Sequence, residues 1–431
     1  MDLIGFLYGF GLLHGILLAV VLLLSQSGHR LANGFMAGLV LAMGLHLLHY
    51  WLIRTGYFID HPSLARLIPP LHLTWGPLLY LYAYSLTNRS VSWLQALHFL
   101  PAVFFFTSSI QFMFIPEEHQ RELLSYLWTE RTAPLSSEVA SFVPGFWRIW
   151  IDLDIPGNLF AIQFVIYNIL VLRQIRLHNI RMKQHFSSLE KMNLRWLSKL
   201  TLLCLGFLVI YVLFNRTQMG GVHFDANALI PSIPWIFLVF VVYAIGLSAL
   251  FQPSLIHGVT AASHSSRDNI PQVTEEKPSA TENQTQTTDT QQEQLEVAPE
   301  SKYKRSRISL KDAEAFKMRI MQHMQDEELY LDSELTLPIL AEKTGLSTHQ
   351  VSQVINSQMG QNFFSFVNNY RIQRAKELLT DTEAPSMPVI DLAMEVGFKS
   401  KSSFYEAFKK TTGMTPLQYK KSLDQSSEGS S

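Results

Sequence analysis

The sequence predicts an all-α chain with three parts: a seven-helix transmembrane bundle, a disordered linker, and a C-terminal all-helical domain with two helix-turn-helix motifs. Two observations predict this. Residues 1–251 of the 431-residue chain are mostly apolar runs of membrane-spanning length. The last quarter repeats the pattern Leu-Ala-x-x-x-Gly-apolar at 340–346 and at 392–398, a period of 52 residues. The predicted domains are a membrane module at 1–251, a linker at 252–303, a helical domain at 304–421 and a flexible tail at 422–431.

Composition restricts the chemistry of the chain. Hydrophobic residues make up 48%, and the net charge of −1 is a sum over unlike parts. The single cysteine, Cys204, excludes a disulfide or a cysteine-based zinc site within one chain. No basic segment precedes the first apolar run, which begins after Asp2. We therefore expect that run to be a spanning helix rather than a cleaved signal peptide.

Seven apolar segments are long enough to cross a bilayer, which takes roughly 17–25 residues. Each is expected to be a helix, because backbone groups in lipid must bond within their own segment. The segments are 3–24, 35–53, 67–86, 95–115, 155–172, 197–215 and 229–251. Prolines in or near them are expected to kink them locally, at Pro77, Pro101, Pro231 and Pro234.

The loops between the segments predict the orientation. The loop between the fifth and sixth segments is strongly basic, with Glu190 as its only acidic residue. Its cations are Arg173, Arg176, Arg181, Lys183, Lys191, Arg195 and Lys199. Since basic loops stay in the cytoplasm, the N-terminus is predicted outside and the C-terminal domain inside.

The spans hold essentially no Asp, Glu, Lys or Arg at mid-depth. Ion-coupled transporters place such residues there, so the pattern disfavours that class. His46 and His49 lie three residues apart and share a helix face, which makes them candidates for a signal site. Two interpretations remain open: a metal or haem site, and hydrogen bonding between helices. No cofactor or metal is implied, and no catalytic constellation is present.

The linker is rich in Thr, Gln, Ser, Glu and Pro and includes the run TENQTQTTDTQQEQ. It cannot bury enough apolar area to offset its chain entropy. As a flexible coil it would span about 40 Å on average. It is predicted to be a tether, and a protease-sensitive site that releases the C-terminal domain is the alternative.

Local signals predict the helices of the C-terminal domain. Gly345 and Gly397 are expected to end a helix before a turn. Each turn leads into a candidate recognition helix, and a long helix at about 362–379 lies between the two copies. Four residues are predicted as N-caps: Ser309, Thr336, Ser347 and Ser400.

These segments resemble the AraC/XylS transcription regulators. The resemblance lies in GFKSKSSFYEAFKKTTGMTPLQYK at 397–420 and in LAEKTGLSTHQVSQVINSQMGQNFFSFVNNYRIQRAKELL at 340–379. It covers roughly 330–421, and the chain is similar in arrangement to the membrane-anchored members of that family. The resemblance implies seven helices and two recognition helices in adjacent major grooves of double-stranded DNA, about 34 Å apart. A multi-pass protein of the bacterial inner membrane is expected, in contact with lipid, with RNA polymerase as a partner and a second copy of the chain as a candidate partner.

The resemblance also implies the base contacts, and the positively charged residues of the same domain predict the phosphate contacts. Base contacts are expected early in each recognition helix, at Thr348, His349, Ser352, Gln353, Lys401, Ser402 and Glu406. Phosphate contacts are expected at Arg371, Arg374, Lys399, Lys409 and Lys410. Residues 336–421 carry 10 Lys and Arg against 7 Asp and Glu, so affinity would depend on clustered charge.

Three functions compete. The first is a transmembrane transcription regulator whose bundle senses a signal and controls the DNA-binding domain. The second is a membrane transporter or enzyme that carries an autoregulatory DNA-binding tail. The third is a protein-interaction anchor without a DNA function. The absence of charged residues within the spans favours the first.

Overall fold

The computed structural model describes residues 2–25, 30–88, 91–128, 136–142, 155–189, 194–219, 229–250, 309–380 and 387–428. The chain forms two compact units. The first contains Met1–His178 and Leu194–Ser263, and the second contains Asn179–Asn193 and His264–Ser431. The predicted linker at 252–303 lies outside the described residues.

The first unit is helical throughout its described part. Its α-helices are α1 (Leu3–Leu24), α2 (Arg30–Arg54), α3 (Tyr57–Asp60), α4 (Trp75–Thr87), α5 (Leu100–Phe112), α6 (Glu117–Trp128), α7 (Ser137–Phe142), α8 (Ile155–His185), α9 (Arg195–Met219) and α10 (Leu229–Leu250). Short 3₁₀ helices occur at Pro62–Leu64, Pro69–Thr74 and Trp93–Phe99. The C-terminal end of α8 belongs to the second unit.

Six helical segments among the described residues are long and apolar enough to cross a membrane, judged by length and composition alone. They are Leu3–Leu24, Arg30–Arg54, Trp93–Phe112, Ile155–His185, Arg195–Asn215 and Leu229–Ser248. Each overlaps a predicted segment. The fourth, Ile155–His185, is 31 residues long and runs well beyond residue 172, where the predicted segment ends.

The third predicted segment, 67–86, is not one continuous α-helix. It consists of the 3₁₀ helix Pro69–Thr74 and the 13-residue helix α4. Pro69 and Pro70 occupy the start of the 3₁₀ helix, and neither can donate a backbone hydrogen bond. Pro77 lies in the first turn of α4, where a missing N–H costs nothing.

Helices α1 and α2 approach closely through small residues. A Cβ atom added at Gly15 would lie 3.1 Å from the carbonyl oxygen of Val40 and 3.7 Å from the Cα of Gly44. The Asp2 carboxylate caps α1 by accepting from the Gly5 amide at 2.9 Å, and it also pairs with Arg54 at the end of α2. The hydrogen bond from Arg54 lowers the pKa of Asp2. The end of α1 is thus fixed beside the end of α2.

The second unit begins with the end of α8 and continues with seven described α-helices. They are α11 (Leu310–Asp326), α12 (Leu337–Thr344), α13 (Thr348–Gln358), α14 (Phe363–Thr380), α15 (Val389–Glu395), α16 (Lys401–Thr412) and α17 (Pro416–Glu428). A 3₁₀ helix lies at Leu329–Leu331. The four predicted N-caps are confirmed, since the side chains of Ser309, Thr336, Ser347 and Ser400 each accept from the first turn of their helix.

The turns after α12 and α15 share one hydrogen-bond pattern. Gly345 has φ +64° and Gly397 has φ +87°, a region that glycine occupies without steric cost. The amide that follows each glycine donates to an alanine carbonyl five residues back, Leu346 to Ala341 at 3.0 Å and Phe398 to Ala393 at 2.9 Å. The sequence repeat of 52 residues is therefore also a structural repeat.

Helix α14 joins two hydrophobic cores of the second unit. Its first half contributes Phe363, Phe366 and Val367 to the core that holds α11, α12 and α13. Its second half contributes Ile372 and Ala375 to the core that holds α15 and α16. One helix therefore fixes the position of both helix pairs.

Candidate nucleic-acid interface

Helix α13 presents the first set of predicted base contacts. Ser347 and Gln350 form a reciprocal capping box: the Ser347 side chain accepts from the Gln350 amide at 3.2 Å, and the Gln350 side chain accepts from the Ser347 amide at 2.9 Å. Val351, Val354 and Ile355 are fully buried, as the sequence predicted. The face of α13 opposite these three residues does not pack into the core and is the one that carries the predicted base contacts.

The four predicted contact residues of α13 differ in exposure. His349 is exposed, whereas Thr348, Ser352 and Gln353 are half-buried. The Ser352 hydroxyl accepts from the Asn356 amide at 3.3 Å. The side-chain oxygen of Gln353 is buried and has no hydrogen-bond partner within the described residues. Because the pairing of Gln with adenine uses this oxygen, the base contact predicted at Gln353 requires its side chain to turn outward.

Helix α16 repeats the arrangement. Its N-cap Ser400 accepts from the Ser403 amide at 3.3 Å, and Phe404 and Phe408 are fully buried. Lys401, Ser402 and Glu406 are exposed on the opposite side. The Lys401 ammonium lies 5.5 Å from the centre of the Tyr405 ring. This cation–π contact holds the lysine at the start of the helix.

Four of the predicted phosphate contacts lie at the surface and divide into two kinds. Lys409 and Lys410 are exposed in the last turn of α16. Arg374 and Lys399 are already in ion pairs, Arg374 with Glu377 at 3.1 Å and Lys399 with Glu334 at 2.6 Å. The pairing with Glu377 raises the pKa of Arg374. Lys409 and Lys410 are therefore the better candidates for phosphate neutralisation.

The fifth predicted phosphate contact, Arg371, requires correction. Its side chain is only 1% exposed, so a phosphate cannot reach it in this arrangement. Its guanidinium donates to the carbonyls of Tyr330 at 2.7 Å and Asp332 at 2.8 Å, and lies 5.5 Å from the centre of the Phe398 ring. Burial lowers the pKa of Arg371 to about 10. Arg371 acts as an internal cross-link between the two cores.

A segment outside the predicted domain also belongs to the second unit. Phe186 forms an antiparallel bridge with Thr336, and the hydroxyl of Ser187 donates to the Leu335 carbonyl at 2.6 Å. Arg371 donates to the Ser187 carbonyl at 3.4 Å and to its hydroxyl at 3.3 Å. No local sequence pattern could have predicted these contacts, because the partners are more than a hundred residues apart.

The histidines singled out from the sequence are buried in the first unit. His46 is 4% exposed and His49 is 5% exposed, and their ring centres are 6.5 Å apart. His46 also packs against His72 at 5.7 Å and against Trp75 at 5.1 Å. Within the described residues, no group of three or more His, Cys, Asp or Glu side chains is arranged to hold a metal ion.

Comparison with known proteins identifies the C-terminal region. The helix-turn-helix domain family matches residues 340–422. An uncharacterized HTH-type transcriptional regulator of Staphylococcus aureus (strain COL) is 37% identical over 93 residues, which is 22% of this chain and 12% of that protein. The uncharacterized HTH-type transcriptional regulator YtdP of Bacillus subtilis (strain 168) is 34% identical over 89 residues, 21% of this chain and 11% of that protein.

A solved structure is also similar to the C-terminal region. The C-terminal domain of the two-component response regulator yesN from Fusobacterium nucleatum is 34% identical, with a TM-score of 0.21. The match covers 25% of this chain and 95% of that domain. The C-terminal region of this chain is thus a helix-turn-helix domain of the type found in DNA-binding transcription regulators, in agreement with the AraC-type resemblance.

Proposed function

We propose that this chain is a membrane-anchored regulator of transcription whose bundle responds to a signal and controls the DNA-binding domain. The observation that carries the proposal is the helix-turn-helix domain in a chain that also holds six apolar helices of spanning length. The relatives described as transcription regulators support the DNA-binding part. A signal can act only by binding one of two states of the protein more tightly than the other.

Both helix pairs read DNA in this proposal. Helices α13 and α16 enter successive major grooves, with Thr348, His349, Ser352 and Gln353 on the first and Lys401, Ser402 and Glu406 on the second. The recurrence of the glycine turn after 52 residues supports two equivalent readers. Lys409 and Lys410 neutralise phosphates. RNA polymerase and a second copy of the chain are the expected protein partners.

The membrane module crosses the bilayer seven times, with the N-terminus outside and the C-terminal domain in the cytoplasm. The 3₁₀ helix Pro69–Thr74 and α4 together rise about 32 Å, which matches the hydrocarbon thickness of about 30 Å. Leu79, Tyr82 and Ala83 of α4 are almost fully buried, as expected for a helix inside a bundle. The basic residues between 173 and 199, most of which lie in the C-terminal part of α8, support a cytoplasmic position for that end.

In-vitro selection of DNA by the full chain tests the proposal. The protein is reconstituted in phosphatidylcholine nanodiscs and incubated with a random DNA library. We expect enrichment of a bipartite sequence whose halves lie about 10 base pairs apart. Enrichment of a single short half-site would contradict the double reader, and no enrichment would contradict specific DNA binding.

The topology has a separate test. A peptide tag is placed at the N-terminus of one version of the chain and at the C-terminus of another, and protease is added to intact cells. We expect cleavage of the N-terminal tag and protection of the C-terminal tag. Protection of both tags would contradict seven crossings, because an even number puts both ends on one side.

A further inference from the structure

A cavity of about 280 Å³ lies inside the first unit. Its wall is formed by the last turns of α2, the segment that leads to α4, the C-terminal half of α5, α6 and the start of α8. In the proposed topology these ends of α2, α5 and α8 face the outside of the cell. The cavity is therefore accessible from the side on which an external signal arrives.

A fixed charge, that of Arg66, faces this cavity. Among the described residues that line it, Arg66 is the only Arg or Lys, and none is an Asp or Glu. The guanidinium of Arg66 lies 5.6 Å from the centre of the Phe112 ring, and no ion pair joins it to any of the described residues. An arginine stays charged at every physiological pH, and a partly buried cation is stabilised by an opposite charge. The cavity is therefore suited to an anion.

Two serine hydroxyls also line the cavity, those of Ser108 and Ser109. Both donate to the Phe105 carbonyl, at 2.8 and 3.0 Å, so the Arg66 guanidinium rather than these hydroxyls is the group that pairs with an anion. His49 also lines the cavity, and its Nδ1 atom is buried without a hydrogen-bond partner among the described residues. His49 is thus the residue that connects the cavity to the signal site predicted from the sequence.

Most of the remaining wall is apolar. Ile53, Leu73, Phe105 and Leu124 line the cavity together with Pro69, Pro70 and Pro156, and the rings of Tyr50 and His72 also line it. Contact with such a wall stabilises a hydrocarbon or aromatic body by removing it from water. The volume lies just below the range of roughly 300–1,000 Å³ that holds drug-sized ligands. A bound molecule would therefore be small.

We propose that this cavity binds a small amphipathic organic anion, whose head group pairs with Arg66 and whose apolar body packs against Leu73, Phe105 and Leu124. The inference rests on the proposed sensor role and names the chemical class of its signal. A carboxylate suits the site, since guanidinium and carboxylate form two parallel hydrogen bonds. A soluble monocarboxylate and the head group of an anionic lipid share this chemistry.

Direct binding to the full chain tests the proposal. The protein is reconstituted in phosphatidylcholine nanodiscs and titrated calorimetrically with octanoate, and in parallel with octanamide, which has the same chain without the charge. We expect saturable binding of octanoate and at least tenfold weaker binding of octanamide. Arg66→Gln should weaken octanoate binding at least tenfold. Arg66→Lys keeps the charge but loses the two parallel hydrogen bonds, so it should bind octanoate more weakly than wild type and more tightly than Arg66→Gln, which also shows that the cavity folds.

The matched control is Arg30→Gln, which removes an exposed arginine at the opposite end of α2. It should leave octanoate binding unchanged.

Three outcomes would each overturn the proposal. Wild type and Arg66→Gln could bind octanoate with equal affinity, wild type could bind octanamide as tightly as octanoate, or octanoate could fail to bind. A second titration, in nanodiscs of the anionic lipid phosphatidylglycerol, separates a lipid ligand from a soluble one. If octanoate binding is lost, the lipid head group competes for the site and is its occupant. If octanoate binding is unchanged, the occupant is a soluble carboxylate.

Binding is measured without DNA, so the two proposals fail separately. If octanoate binds through Arg66 but leaves DNA affinity unchanged, the anion site stands and the sensor role fails. If DNA selection fails while octanoate still binds through Arg66, the anion site stands without a DNA function.

Discussion

Ser187 and Arg371 lie 184 residues apart in the sequence and are joined by hydrogen bonds inside the second unit. Ser187 is 2% exposed and follows α8 by two residues, and Arg371 lies in the middle of α14. Helix α8 starts at the cavity, where Pro156 is part of the wall. Helix α8 itself is 31 residues long and ends at His185, two residues before Ser187.

Substitution of Ser187 by alanine should destabilise the second unit. It removes the hydrogen bond to Leu335 and leaves Arg371 without one of its acceptors, a loss of about 1–3 kcal/mol. Hydrogen exchange of the α14 amides in the reconstituted full chain measures the change. Ser188→Ala is the matched control, because Ser188 makes no hydrogen bond within the described residues. Equal exchange in the two variants would show that the Ser187 bonds add no stability.

Gly397→Ala should be far more damaging than Gly413→Ala. Both glycines have positive φ, +87° and +79°, so alanine is strained at either position by about 1–2 kcal/mol. At Gly397 the added Cβ would also lie 2.6 Å from the Tyr330 carbonyl oxygen and 2.7 Å from that of Leu331, whereas at Gly413 it meets nothing within 4 Å. We expect a loss of roughly 3 kcal/mol or more for Gly397→Ala. Chemical denaturation of both variants measures the difference, and similar losses would contradict the backbone contact.

Acid should weaken the link between α11 and α12. His323 at 2.7 Å and Lys343 at 3.0 Å both donate to Glu327, and these hydrogen bonds lower its pKa. Because the pKa of Glu327 is lowered in the folded state, these hydrogen bonds stabilise the fold fully above the ordinary pKa of glutamate. This stabilisation is lost as the pH falls through the lowered pKa. Wild type should therefore lose more thermal stability between pH 6 and about pH 3 than Glu327→Gln does. Glu395→Gln is the control, because Glu395 is exposed and makes no ion pair within the described residues. It should lose as much thermal stability over this pH range as wild type does.

The starts of four helices in the C-terminal domain could be predicted from the sequence, because they depend on short-range hydrogen bonds. The caps at Ser309, Thr336, Ser347 and Ser400 depend on side chains within three residues of the amide that they satisfy. Short-range signals of this kind are readable without knowledge of tertiary structure. Composition also located the apolar helices of spanning length. The third and fourth predicted segments each consist of a 3₁₀ helix followed by a 13-residue α-helix, which composition did not predict.

The role of Arg371 was mispredicted, although the sequence held a signal. Arg371 lies four residues after Val367 and four before Ala375, both of which are fully buried. That spacing places it on the inner stripe of α14, where a phosphate cannot reach. Its acceptors, by contrast, were beyond prediction, because the carbonyls of Tyr330 and Asp332 and the Ser187 side chain come from distant segments. The cavity around Arg66 was missed for the same reason.

The salt dependence of DNA binding should separate the free lysines from the paired ones. Each lost phosphate contact lowers the slope of log affinity against log salt by about 0.9. Lys409→Ala should show this change. Lys399→Ala should show little, since Lys399 pairs with Glu334 and its side chain is only 18% exposed. Binding titrations between 50 and 200 mM salt, about the range in which such slopes are resolved, measure both variants. A larger effect at Lys399 would mean that DNA displaces Glu334.

Sequence preference should depend on Gln353 and Lys401 separately. Gln353→Ala removes the half-buried amide of α13, and Lys401→Ala removes the exposed ammonium at the start of α16. Each should cost roughly 1–3 kcal/mol at one base position and relax the preference there, with the two positions in different halves of the selected site. Selection with each variant, compared position by position with wild type, measures this. A uniform loss over all sequences would identify the residue as a phosphate contact, because phosphates carry no base identity. Relaxation in the same half-site for both variants would contradict two separate readers.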